Sequence, residues 1–168
     1  FNLCRRACYY GDSMCAQCFP SSATVEVKEH DFVHSKRMDD LRIGDKVRTE
    51  NGFSTVFAWM DNNAADVDAN YLHIHTSDED RGLKISSDHI VFAHNPRRPV
   101  HADTVRKGDI LWVTTNRTDE HYLRPVSVQR IENIRERGLH APLTRDGTLI
   151  VNGILASSYA KSKSLMWG

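Results

Sequence analysis

The sequence predicts an all-β protein made of two related halves that share one core. Short runs of alternating apolar and polar residues recur along the chain, and no segment of eleven or more residues shows a clean helical apolar face. A block also repeats. Leu41-Arg42-Ile43-Gly44-Asp45-Lys46-Val47 returns as Val105-Arg106-Lys107-Gly108-Asp109-Ile110-Leu111, a spacing of 64 residues between the Gly-Asp pairs. Gly82-Leu83-Lys84-Ile85 is echoed by Gly147-Thr148-Leu149-Ile150 at a spacing of 65. Two matches in one order at nearly one spacing indicate duplication, with halves of about 23–94 and 99–160. Many short strands have many edges to cover, which argues that the halves interlock.

Each element follows from local pattern. Ala23-Thr24-Val25-Glu26-Val27 alternates as a strand, and after a polar break at 28–31 a second strand begins at Val33. Met38-Asp39-Asp40-Leu41-Arg42-Ile43-Gly44-Asp45-Lys46-Val47 reads as a short turn feeding a strand. Asn51-Gly52 marks a hairpin, because both central residues of the tight turn favour positive φ, and 54–60 is the return strand. Residues 61–70 are acidic and Ala-rich without turn punctuation, so they read as a loop or one short helical turn. Tyr71-Leu72-His73-Ile74-His75-Thr76 alternates as a strand, 78–82 turns, and Leu83-Lys84-Ile85 leads into Ser86-Ser87-Asp88-His89. Ile90-Val91-Phe92-Ala93 closes the first half, and the basic stretch 96–99 is the connector to the second.

Composition narrows the function. The 168 residues suffice for a core without staples. Lys plus Arg and Asp plus Glu each number 22, so no basic footprint for nucleic acid exists, and the Arg97-Arg98 pair is too small to make one. The longest apolar run, 149–156, is broken by Asn152 and Gly153 and is too short to cross a bilayer. A chain that starts at Phe1 without a leader reads as a piece of a longer precursor. Cys4, Cys8 and Cys15, close together in a polar segment, resemble the stapled end of a secreted domain.

Cys18 is the last of four cysteines, and no thiol follows it. A thiol at the first residue of a domain can attack the carbonyl carbon of the preceding residue, here Gln17, and exchange an amide for a thioester. The repeat supplies a partner. Where the first half carries Ser86-Ser87-Asp88-His89, the second carries Val151-Asn152-Gly153-Ile154, which has no titratable group. Such asymmetry suits a function present in one copy. A histidine can protonate the leaving nitrogen and later take the proton back, work worth about 10²- to 10⁴-fold in rate. Cysteine with a remote histidine is the minimal kit for acyl transfer. Other readings stand beside this one: His89 also suits a half-buried turn cap, and Cys18 suits a disulfide to Cys15 or a zinc site with Cys4, Cys8 and Cys15.

Several blocks together carry a resemblance. They are Cys18-Phe19-Pro20-Ser21-Ser22-Ala23-Thr24-Val25, Trp59-Met60-Asp61-Asn62, Ser86 with His89 three residues on, and the closing stretch 141–160, from Ala141-Pro142-Leu143-Thr144 to Ala156-Ser157-Ser158-Tyr159-Ala160. The chain resembles, over 18–168, the autoprocessing domain of hedgehog and hedgehog-related proteins, including the nematode warthog and groundhog groups. The resemblance implies the Hint fold, an all-β horseshoe of two pseudo-symmetric interlocked halves shared with inteins, with 1–17 as the end of an upstream segment. It makes Cys18 the nucleophile of an N-to-S acyl shift at Gln17-Cys18 and His89 the group that protonates the departing nitrogen. Ser86 takes the place of a threonine that steadies the scissile peptide. Asp61 assists Cys18 and serves as general base for the alcohol that attacks the thioester.

The resemblance further implies a single-turnover reaction without metal or cofactor, in a monomer of the secretory pathway whose substrate is its own upstream segment. The acceptor is a sterol or other lipid alcohol, selected by a region beyond Gly168. Three residues depart from the family pattern: Gln17 stands for a glycine, Ser86 for the threonine, and Ser157-Ser158 for a Ser-Cys pair. A rival of a different class is an inert secreted module in which Cys18 is held in a disulfide. His73 and His75 share a strand face, but spacing places no third metal ligand beside them. Trp59, Trp112 and Trp167 read as packing.

Overall fold

The computed structural model describes residues 18–115 and 123–159, with the backbone alone over 63–67. Among them are β1 (Thr24–Glu29), β2 (Phe32–Arg37), β3 (Lys46–Thr49), β4 (Gly52–Thr76), β5 (Gly82–Ile85) and β6 (Ile90–Ala93). Then come β7 (Arg98–His101), β8 (Ile110–Thr114), β9 (Leu123–Thr144), β10 (Thr148–Val151) and β11 (Ile154–Ser157). Two single 3₁₀ turns, Met38–Asp40 and Ala102–Thr104, are the only helical pieces in the described residues, and no helix there is long and apolar enough to cross a membrane. All pairings are antiparallel, in the order β2-β1-β3-β4-β9-β8-β11-β6-β7, with β5 added to β4 and β10 to β11. The order is nearly a mirror image: β2-β1-β3-β4 faces β7-β6-β8-β9, with β11 inserted between β6 and β8. The fold is therefore all-β and two-halved, as the repeat predicts.

The repeated block is a turn that plants a strand, built twice. The Gly44 N–H donates to Val56 O at 2.8 Å, Arg42 N–H donates to the Asp45 carboxylate at 2.8 Å, and Val56 N–H donates to Asp45 O at 2.9 Å. In the second half Gly108 donates to Val128 O, Arg106 to the Asp109 carboxylate, and Val128 to Asp109 O, each at 2.8 Å. Gly44 and Gly108 have φ of +98° and +91°, a region that side chains avoid, which is why the glycine recurs. Each aspartate closes the turn by accepting from the amide three residues back.

Three local expectations change. Residues 61–70 are neither loop nor helical turn: they continue β4, which runs for 25 residues and pairs along most of its length with β9. The weak strand propensity of this acidic, Ala-rich stretch is overridden at 61–63 and 68–70, which pair with β9 on either side of a register shift. The hairpin between β3 and β4 closes one residue earlier than Asn51-Gly52 predicts, because Thr49 pairs with Gly52 and the loop residues are Glu50 and Asn51. Of these only Gly52 has positive φ, +117°. The stretch 96–99 is also not a connector between halves: Arg98 and Pro99 pair with Ala93 and Phe92, so β6 and β7 form one hairpin on the side of the sheet that holds β8 and β9, and β6 does not close the first half.

One apolar cluster draws on both halves: Val25, Val27, Val47, Val56, Leu83 and Ile85 from the first, and Leu111, Val113, Leu149 and Ile154 from the second. Burying each such side chain contributes about 1.5–3 kcal/mol. β10 and β11 are buried at every residue, so they read as continuous apolar runs rather than alternating ones. Their connecting turn reaches across the molecule: Asn152 N–H donates to Thr24 O, and the Asn152 Oδ1 accepts from Thr24 N–H, both at 2.8 Å. Thus the last hairpin of the second half is fastened to the first strand of the first.

Candidate active site

β5 and β6 are joined by the turn of Ser86-Ser87-Asp88-His89, closed by the His89 N–H donating to Ser86 O at 3.1 Å. It is braced from below by the second 3₁₀ turn, where Ala102 N–H donates to His89 O at 2.8 Å and Asp103 N–H to Ser87 O at 2.9 Å. Ser86 and His89 are each only 1 % exposed. The segment starting at Cys18 threads between this turn and β9. On one side Cys18 N–H donates to Ser86 Oγ at 2.8 Å and Ser86 N–H donates back to Cys18 O at 3.1 Å. On the other, Phe19 and His140 exchange both backbone hydrogen bonds, at 2.8 and 3.0 Å. Cys18 is thereby held between two elements far apart in sequence, with its side chain fully buried against Tyr71, Leu139 and Ala141.

The imidazole of His89 is oriented by a residue that the sequence does not single out. Its Nε2 lies 2.7 Å from Ser157 O. A carbonyl only accepts, so Nε2 carries the proton, and in the neutral ring Nδ1 holds the acceptor lone pair. The Phe19 ring leans on the imidazole at 4.5 Å between centroids, tilted by 50°, and shields it from water. His89 is thus fully buried and fixed on two sides, rather than a half-buried turn cap.

Asp61 is 4 % exposed and lies in β4, so it is not a solvated turn carboxylate. It pairs with Ala141, a member of the cluster around Cys18, and cross-strand partners project to one face of a sheet. A register shift between Trp59 and Asp61 re-aims the strand at this point. The structure puts Ser86 on the Cys18 nitrogen, holds His89 of the same turn against the ring of the next residue, Phe19, and sets Asp61 on the facing strand pair. Gln17, Cys4, Cys8, Cys15, Trp167 and the 165–168 end lie outside the described residues.

Sequence reasoning missed a buried polar chain beside the site. His140, fully buried, links Asn62 to Ser21: its Nδ1 is 2.9 Å from Asn62 Oδ1 and its Nε2 is 2.9 Å from Ser21 Oγ. With Asn62 Oδ1 as acceptor, Nδ1 bears the proton and Nε2 accepts from the Ser21 hydroxyl. Burial holds the His140 pKa below the usual imidazole range, opposed by the charge of Asp39. Gly138 makes the room, since at its φ of +89° a Cβ would fall 1.9 Å from Ser21 Oγ. A histidine just before the closing Ala141-Pro142 block gives no spacing signal of its own. Ser158, where the resemblance places a cysteine, is also buried, and its Oγ meets Thr144 Oγ1 at 3.0 Å, so the position is a strand tie.

Two interlocked β halves that close on a buried cysteine beside a Ser-x-x-His turn define a Hint-type domain. Solved inteins share the fold: the Ssp DnaB mini-intein variant M86 matches with a TM-score of 0.72 at 7 % identity, covering 88 % of this chain and 97 % of that one. The gp41-1 intein matches with a TM-score of 0.66 at 17 % identity, covering 83 % and 97 %. The family model described as the Hint module matches residues 11–167, and the chain belongs to that family. Its curated relatives include Protein hedgehog of Drosophila persimilis, 36 % identical over 146 residues, and that of Drosophila melanogaster, 36 % identical over 145. These alignments take in 80 % and 79 % of this chain and 30 % of each relative, so the chain spans about three tenths of their length.

Proposed function

We propose that this domain cleaves its own chain once, at Gln17-Cys18, and transfers the upstream segment to an alcohol or thiol. The Cys18 Sγ attacks the Gln17 carbonyl carbon, a C–S bond forms and the C–N bond breaks. The proton given up by the thiol passes through Nδ1 of His89, the ring nitrogen turned away from the Ser157 carbonyl, to the freed nitrogen, leaving a thioester on Cys18. An acceptor hydroxyl, its proton taken by Asp61, or a thiolate then attacks the thioester carbonyl and returns the sulfur to Cys18 as the thiol. The observation that carries this reading is the 2.8 Å hydrogen bond from Cys18 N–H to Ser86 Oγ. The nitrogen that must leave is held by a side chain of the turn that also carries His89. A tertiary contact that grips one peptide nitrogen favours twisting or polarising that bond, which planar resonance otherwise protects.

Kinship with Protein hedgehog extends the proposal: the physiological acceptor is a sterol or other lipid alcohol, and processing takes place in the secretory pathway. The reaction stays within one chain, whose upstream segment is the substrate.

Incubation of the purified protein with dithiothreitol, followed by mass measurement, tests the reading. A fragment running from Cys18 to Gly168 is expected, and Cys18→Ala abolishes it. Cleavage that persists in Cys18→Ala overturns the mechanism, and an intact wild-type chain with Cys18 oxidised establishes the inert, disulfide-held module instead.

A further inference from the structure

His73 and His75 acquire in the fold the third ligand that their spacing lacks. Both lie on β4, two residues apart and so on one face of the strand. β9 pairs antiparallel with this part of β4, and Glu132 is the residue opposite His73. One donor atom from each of the three lies within 4.8 Å of the others. The imidazole rings of His73 and His75 stack at 3.8 Å between centroids, and Glu132 Oε2 is 2.8 Å from His75 Nε2. From these positions we infer that His73, His75 and Glu132 form a binding site for a divalent first-row transition ion of the zinc type. The inference stands apart from the self-cleavage reading and uses none of its residues.

The donor set fits that class of ion. Two imidazoles and one carboxylate are a three-ligand zinc set that leaves a fourth position for water, and imidazole selects Zn²⁺, Cu²⁺, Ni²⁺ and Co²⁺ over Mg²⁺ or Ca²⁺. A tetrahedral zinc with bonds of about 2.0–2.1 Å needs its donors closer together than 4.8 Å, so the side chains must turn inward. They have room to do so: Glu132 is 44 % exposed, and a Cβ at Gly82 would lie only 2.9 Å from His73 Nε2, so the glycine leaves the ring its space. All three ligands sit on the paired segment of β4 and β9, and a bound ion would cross-link the two longest strands.

Two basic residues oppose an ion here. Lys84 faces His73 across the β4–β5 pair but is drawn away to Glu136. Arg130 is the direct competitor: its Nη2 is 3.2 Å from His75 Nε2 and its Nε is 3.6 Å from Glu132 Oε1. Because the Glu132 carboxylate only accepts, His75 Nε2 donates to it, and the Arg130 guanidinium beside both groups opposes an ion by its positive charge. The Arg130 side chain is 61 % exposed and free to swing out.

Titration of the intact protein with Co²⁺, followed by visible absorption and calorimetry, tests the site. One equivalent should bind with a d–d spectrum that lacks a thiolate charge-transfer band. His75→Gln and Glu132→Gln should each weaken binding by at least the roughly 10- to 100-fold that loss of an outer-shell partner costs, with unchanged circular dichroism. Arg130→Gln should tighten it, an outcome that a failure to fold cannot mimic. Binding that survives His75→Gln, a thiolate charge-transfer band, or the absence of any binding in both wild type and Arg130→Gln would overturn the proposal.

Discussion

The hydroxyl of Ser86 and the ring of His89 act on the same nitrogen in the proposed cleavage, and their separate contributions can be measured. Ser86→Ala removes one neutral hydrogen bond, about 1 kcal/mol, so dithiothreitol-induced cleavage should slow roughly fivefold. Ser86→Thr keeps the hydroxyl and should retain most of the rate. His89→Ala should cost about 10²- to 10⁴-fold. His140 makes a different prediction, on stability. Its pKa is lower in the folded state than the ordinary 6.5, because burial disfavours the charged ring, with Asp39 opposing. The unfolded chain therefore takes up a proton first as pH falls. The stability that neutral His140 provides is present above about pH 6.5 and is lost as pH drops through its folded pKa. Denaturant midpoints measured on either side of that value should show the loss, and His140→Gln should flatten the dependence.

At the scale of elements, β9 and β4 decide where the site residues point. The Gly138 of β9 allows Ser21 to reach His140, so Gly138→Ala should cost upward of about 1 kcal/mol, since alanine at positive φ is strained and the new Cβ meets Ser21. Urea denaturation would read the cost, and cleavage should slow as the segment leading from Cys18 shifts. Much at this scale is legible in the sequence. Strands that alternate, such as β1 and β5, are visible because one face is buried and the other is not. Residues 61–70 are not legible, because what makes them a strand is the partner β9, dozens of residues downstream. For the same reason Asp61 looks like a surface carboxylate when read alone.

The whole molecule is held by contacts that cross between the halves. The Asn152 clamp on Thr24 and the common apolar cluster leave neither half with a core of its own. Leu149→Ala should therefore destabilise by about 2–5 kcal/mol and move a single unfolding transition. A separate transition for one half in calorimetry would contradict the shared core.

By itself the sequence determined the class, the duplication, the candidate thiol and the one-copy Ser86-x-x-His89 turn. These depend on local alternation, on a glycine that two turns require and on a motif of adjacent residues. Only the tertiary structure decided what each group touches: Ser86 on the Cys18 nitrogen, Ser157 on His89, Asp61 facing the cluster around Cys18, His140 between Asn62 and Ser21, and Glu132 beside His73 and His75. Those neighbours come from long-range antiparallel register, and register is set by which faces the whole sheet must bury.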